Sequence, residues 1–221
     1  MKRPKALFFD MDGTLADSVG SIGTVCNRIL KKYGFPEHQP EEYKRFVGRG
    51  IRQAIQNAVG KEVEESLLDK MFADFVADYE RDPFSATLLY PGMEEIVREA
   101  AEAGILCFIV TNKAQPIAQK ISDRFFGTAV KEVIGFRDDL PPKPAPDGVR
   151  LLLKRYHLTE SETLFIGDSE VDYQTARNSG VPVAVMTWGY ADPAYFCQNR
   201  PDFLCGDAAA LKNVIFPERK G

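Results

Sequence analysis

The sequence predicts an α/β fold, a doubly wound parallel sheet with an all-helical segment inserted after the first strand. Three observations carry that expectation. From residue 90 onward, apolar runs of strand length alternate with stretches of helical periodicity, the pattern of strand, crossover and strand repeated in one sheet. Between the first apolar run and that alternation lies a long region with helical periodicity and no convincing strand. The 221 residues, 44% of them hydrophobic, suffice to bury one substantial core, or one core with a small satellite domain.

In chain order, the stretch "ALFFDMDGTLADS" (6–18) supplies the first strand, an apolar run that stops at Asp10. The helical region follows, clearest in "SLLDKMFADFVADYERD", where Leu67, Leu68, Met71, Phe72, Phe75, Val76 and Tyr79 fall on one face and predict the core of a helix bundle. Pro83 and the "YPG" at 90–92 mark its end. The runs "ILCFIVTN" (105–112), "TLFIGD" (163–168) and "VPVAVMTW" (181–188) read as buried parallel strands, with "VKEVIGF" a weaker one. Helices are expected near 92–103, 114–126, 146–156 and 170–179. The division expected is therefore a core of residues 1–15 and 84–221 and a helical insertion of 16–83.

Composition narrows the function. A net charge of -4, with no basic block longer than the initial "MKRPK", argues against nucleic acid or an anionic membrane as partner. Asp10 and Asp12 interrupt the apolar run that a signal peptide needs, and no segment approaches transmembrane length. Cys26, Cys107, Cys197 and Cys205 are scattered without a C-x-x-C pair, so zinc is not indicated, and reduced thiols in a cytoplasmic protein are expected.

Open parallel sheets bind ligands at the carboxyl ends of their strands, and each strand end here carries reactive groups. The first ends in Asp10 with Asp12 just beyond, the second in Thr111-Asn112, and a later one in Gly167-Asp168-Ser169. Lys143 stands ahead of a helix in "PPKPAPD", where flanking prolines are expected to hold the backbone extended and aim the amine. Each has an ordinary alternative. Asp12-Gly13 could turn a hairpin, Asp168 or Thr111 could cap the helix that follows, and Lys143 could be a solvated charge. An EF-hand loop fails on register, since a glycine at its sixth place would make Phe8 and Val19 the end ligands.

These residues, as "DMDGT" (10–14), "VTNK" (110–113), "KPAPD" (143–147) and "GDSEVD" (167–172), resemble in order and spacing the four motifs of the haloacid dehalogenase-like hydrolases. The match is to their phosphatase branch with an inserted helical cap. Within it the chain is most similar to the phosphoglycolate phosphatases, through "FVGRG" (46–50), "TNK" and "WGY" (188–190). The resemblance implies hydrolysis of a small phosphorylated metabolite by a monomer or homodimer. It also implies that Asp172 is an outer partner of metal-bound water or of Lys143.

The chemistry follows from the residue types. An ionised carboxylate such as Asp10 can attack phosphorus and form an acyl phosphate. The repulsion between two anions calls for Mg²⁺, held by Asp10, the backbone carbonyl of Asp12, and Asp168. Lys143 adds a second positive charge, and Thr111 and Asn112 can donate to phosphoryl oxygens. Asp12 then protonates the leaving alcohol and deprotonates the incoming water. In the insertion, Arg49 between Gly48 and Gly50 is the candidate to meet a substrate carboxylate, against the alternative of a solvated arginine at a helix start. A phosphomutase would share every core residue, whereas a dehalogenase needs no Asp12, and a receiver-type phosphoacceptor domain would be shorter and lack a cap.

Overall fold

The apolar runs become the strands of one parallel sheet in a computed structural model that describes residues 3–47, 50–84 and 87–217. In chain order the strands are β1 (Ala6–Phe9), β2 (Ala16–Asp17), β3 (Leu88–Leu89), β4 (Leu106–Ala114), β5 (Val130–Phe136), β6 (Thr163–Gly167), β7 (Val183–Met186) and β8 (Phe203–Cys205). Six of them pair in the order β5-β4-β1-β6-β7-β8, all parallel. Phe8 lies beside Phe108 on one neighbour and Phe165 on the other, so β1 is central and wholly buried. That is why its sequence is a continuous apolar run with no alternation.

Helices cover both faces. They are α1 (Val19–Lys32), α2 (Tyr43–Phe46), α3 (Ile51–Val59), α4 (Glu65–Tyr79), α5 (Met93–Glu102), α6 (Gln115–Phe125), α7 (Asp147–Arg155), α8 (Glu170–Ser179), α9 (Pro193–Gln198) and α10 (Ala208–Ile215). Alternate side chains of β1 sort between two cores. Leu7 and Phe9 join the apolar residues of α5, α6 and α10, while Ala6 and Phe8 join those of α7 and α8. The result is a three-layer sandwich, as its alternating pattern predicts.

The insertion is α1 to α4. On α4 the expected stripe is real but narrower than the sequence suggests: Leu68, Met71, Phe75 and Tyr79 are buried, and Leu67, Phe72 and Val76 are partly buried against the same core. The chain enters and leaves this segment through a short antiparallel ribbon, Ala16 opposite Leu89 and Asp17 opposite Leu88. The expected ends of the insertion, at 16 and 83, therefore lie on or near a paired ribbon, which two-residue strands cannot announce by periodicity. The strand β8 and the helices α9 and α10 are also additions to the sequence reading. Among the described residues, no helix is long and apolar enough to cross a membrane.

The fold places one crevice. The connection leaving β1 leads towards β4, and the one leaving β6 leads the opposite way to β7, so the strand order reverses between these adjacent strands. Asp10 and Asp168 are the residues that follow them.

Candidate active site

Asp10, Asp168 and Asp172 converge at that crevice, each offering one carboxylate oxygen within 4.8 Å of the others. Asp172 is held by local structure. Ser169 caps α8, and Asp172 Oδ2 accepts from the Asp168 amide at 3.2 Å, the Ser169 amide at 3.0 Å and the Ser169 hydroxyl at 2.6 Å. Its other oxygen, Oδ1, accepts from Lys143 Nζ at 2.6 Å. Both oxygens are thus taken, which suits an outer role. Asp168 is steadied by the Thr14 hydroxyl on Oδ1 and the Tyr190 amide on Oδ2, both at 2.8 Å. Glycines leave room for it: a Cβ at Gly13 would stand 2.4 Å from Asp168 Oδ2, and one at Gly189 only 2.1 Å away.

Lys143 Nζ lies 2.8 Å from Asp10 Oδ1 as an ion pair, outside hydrogen-bond geometry, so Asp10 Oδ1 is a buried oxygen with no hydrogen bond. Of the three buried carboxylates, Lys143 pairs with two, Asp10 and Asp172. Burial, reinforced by Asp172 and only partly opposed by Lys143, pushes the Asp10 carboxyl up to about 7. Burial with Asp172 and Asp10 raises Asp168 well above the ordinary carboxylate range. Burial alone would lower Lys143, but Asp10 and Asp172 outweigh it and raise it. An all-oxygen cluster with surplus negative charge, in which Asp10 and Asp168 keep free lone pairs, fits a hard divalent cation such as Mg²⁺.

Asp12 has separate surroundings. Its Oδ1 accepts from Ser18 Oγ at 2.5 Å and from Lys113 Nζ at 2.8 Å. Lys113, at the end of β4, is fully buried and also donates to Tyr79 Oη at 3.1 Å. Lys113 closes the "VTNK" stretch (110–113), which suggested no role for it; a lysine directly after the apolar run ending in Thr111-Asn112 was the signal available.

Thr111 is buried, accepts from the Lys113 amide at 3.3 Å and keeps its hydroxyl proton to donate. Asn112 has a second set of partners. Its side chain brackets the Lys143 backbone, with Nδ2 donating to Lys143 O at 3.0 Å and Oδ1 accepting from Lys143 N at 2.9 Å. Nor does the lysine segment run extended: the Lys143–Pro144 bond is cis, and the Ala145 amide donates to Pro142 O at 3.0 Å. The side chain of Asn112 thus takes the anchoring task assigned to the prolines.

Asp10, Asp12, Thr111, Asn112, Lys113 and Lys143 line one cavity, whose far wall includes Ile22, Gly50 and Ile51 of the insertion. It adjoins a larger one of about 210 Å³ that includes Phe72, Asn112 and Phe136. Gly48 and Arg49 lie outside the described residues. Gly50, with φ 87°, caps α3 and sits against Asn112.

Residues 7–186 match the family model described as haloacid dehalogenase-like hydrolase. A phosphoglycolate phosphatase of Rhodobacter capsulatus is 37% identical over 193 residues, covering 84% of this chain and 85% of that protein. One of Pseudomonas putida is 28% identical, covering 94% and 78%. The crystal structure of a predicted phosphoglycolate phosphatase from Haemophilus somnus superposes with a TM-score of 0.88 at 26% identity, covering 98% of this chain and all of that one. Together with four motifs gathered at one switch point, these similarities show that the chain belongs to the haloacid dehalogenase-like hydrolase family and is phosphoglycolate phosphatase-like within it.

Proposed function

We propose that the protein is a Mg²⁺-dependent phosphomonoester hydrolase working through a phosphoryl-Asp10 intermediate, with 2-phosphoglycolate as its substrate. The observation that carries this reading is the pair of carboxylates in one cavity with different partners. Asp10 faces Lys143 and the acidic cluster, while Asp12 faces Lys113 and Ser18.

An Asp10 oxygen forms a bond to phosphorus as the bond to the leaving oxygen breaks, and Asp12 delivers a proton to that oxygen. In the second half, Asp12 takes a proton from water, whose oxygen bonds to phosphorus and returns Asp10 as carboxylate. Lys143, fixed by Asp172 and by Asn112, places positive charge beside Asp10 and the transferring group. Thr111 donates its hydroxyl to a phosphoryl oxygen. Mg²⁺, held by Asp10, Asp168 and the Asp12 carbonyl, would neutralise phosphate charge that one lysine cannot. Asp172 supports Lys143 from outside.

Residues 16–83 act in this reading as a cap over a core of 1–15 and 84–221, since Ile22, Gly50 and Ile51 close the cavity above Asp10 and Asp12. The larger adjoining cavity is the feature that favours a bulkier sugar phosphate instead. Buried free thiols at Cys26, Cys107 and Cys205 support a reducing compartment such as the cytoplasm. The test is phosphate release from a panel of phosphorylated metabolites, with Mg²⁺ and with excess chelator. Phosphoglycolate is expected to lead the panel and chelator to abolish release. A better sugar phosphate would overturn the substrate, and turnover in chelator would overturn the metal.

A further inference from the structure

Lys113 carries a charge whose burial, unpaired, would cost several kcal/mol, so what surrounds it calls for an explanation. Its ammonium meets Asp12 Oδ1 at 2.8 Å, Tyr79 Oη at 3.1 Å and the Tyr79 ring at 4.7 Å from its centroid. These partners come from opposite sides of the crevice. Asp12 follows β1 in the sheet layer, whereas Tyr79 is the last residue of α4 in the insertion.

The chain of contacts then closes on itself. Tyr79 Oη meets Ser21 Oγ at 2.8 Å, Ser21 Oγ lies 3.2 Å from Thr87 Oγ1 and donates to Ser18 O at 2.9 Å, and Ser18 Oγ returns to Asp12 Oδ1 at 2.5 Å. Ser18 and Ser21 stand where the chain enters the insertion, and Tyr79 and Thr87 where it leaves. One Asp12 oxygen is therefore fixed from both ends of the inserted segment. Tyr79, Ser21 and Thr87 are not among the residues lining the catalytic cavity, and they reach it through two that are, Asp12 and Lys113.

We propose that Lys113 and Tyr79 are positioning residues that hold the Asp12 carboxylate in line with the leaving oxygen, so that seating the insertion and readying the proton shuttle are one event. The inference rests on the reading of Asp12 as that shuttle. If it holds, the hydroxyl of a tyrosine outside the cavity matters according to how much the leaving group needs a proton. A purely structural tyrosine would affect all substrates alike.

The experiment compares the first, phosphoryl-accepting step for an alkyl phosphate such as 2-phosphoglycolate and for 2,4-dinitrophenyl phosphate, whose leaving group needs no acid, by rapid mixing. The reference variant is Asp12→Asn, expected to slow the alkyl step roughly 10²- to 10⁴-fold and the aryl step less than about tenfold. Tyr79→Phe should reproduce that split in smaller measure, about 5- to 50-fold on the alkyl substrate with the aryl rate and KM nearly unchanged, and Lys113→Met should slow the alkyl step more than the aryl one. In the Asp12→Asn background, Tyr79→Phe should then add nothing. Tyr79→Phe keeps the ring and its contact with Phe75 at 5.4 Å, and it decides the matter alone if Lys113→Met does not fold. Equal losses on both substrates, or an additive double variant, would overturn the proposal while leaving Asp12 its role. Absence of a split in Asp12→Asn itself would overturn the reading of Asp12, and the proposal with it.

Discussion

Asn112 holds the backbone of Lys143 from both sides, donating to its carbonyl at 3.0 Å and accepting from its amide at 2.9 Å. A residue expected to touch phosphate also fixes the residue that carries the charge. Asn112→Ala should lower kcat/KM roughly 10- to 100-fold by loosening Lys143, the loss of two neutral hydrogen bonds at about 0.7 to 1.4 kcal/mol each. The check is a double-mutant cycle with Lys143→Met: if Asn112 acts through Lys143, the second substitution adds little to the first. Additive losses would return Asn112 to direct phosphate binding.

Gly189 is expected to tolerate no side chain. An added Cβ would fall 2.1 Å from Asp168 Oδ2 and 2.2 Å from its Cβ, so Asp168 must move off the cluster. Gly189→Ala should weaken Mg²⁺ binding at least tenfold, measured by titration calorimetry, while the circular dichroism spectrum stays that of a folded protein.

The raised Asp10 carboxyl makes metal-free stability depend on pH with a defined sign. Its ordinary value is 3.8, and the folded protein raises it to about 7. Between those values the native state holds a proton that the unfolded chain has released. The stability contributed is full below the lower value and is lost as pH rises through the upper one. In excess chelator, Tm of the wild type should therefore fall relative to Asp10→Asn between about pH 5 and pH 8, with an upper bound of about 4 kcal/mol for the whole titration. Added Mg²⁺, which needs the ionised cluster, should raise Tm more at the higher pH. A larger metal-induced shift at the lower pH would contradict the charge arrangement described.

Arg49 gives a ratio test for the substrate. If it meets the substrate carboxylate, Arg49→Ala should cost phosphoglycolate roughly tenfold to over a hundredfold in kcat/KM, for a charge-assisted contact of about 1.5 to 3 kcal/mol, and leave p-nitrophenyl phosphate almost unchanged. Losses that fall equally on both substrates would show that Arg49 does not recognise the substrate carboxylate.

What the sequence made legible follows from how strongly each feature constrains residue type. The buried strands needed unbroken apolar runs, so β1, β4 and β6 were plain, and the candidate carboxylates Asp10 and Asp168 stood just past the ends of β1 and β6. The ribbon of β2 and β3 and the strand β8 are too short to carry a period. Helix α10 had a usable signal, Asp207 accepting from the Ala210 amide at its start. Lys113 and Asn112 show the other limit. Residue type announced a cation and an amide near the site, but only the fold decides whether each faces substrate or a neighbouring side chain.

The central claim is that Asp10, and no other side chain, accepts the phosphoryl group. Enzyme turning over ³²P-labelled substrate is quenched in acid within the first turnover, and the labelled peptide is mapped by mass spectrometry. The account predicts label on Asp10, lost on brief exposure to alkali as an acyl phosphate is, and absent in Asp10→Asn. Label on Asp12 or on any other residue, or full turnover with no covalent label, would contradict it.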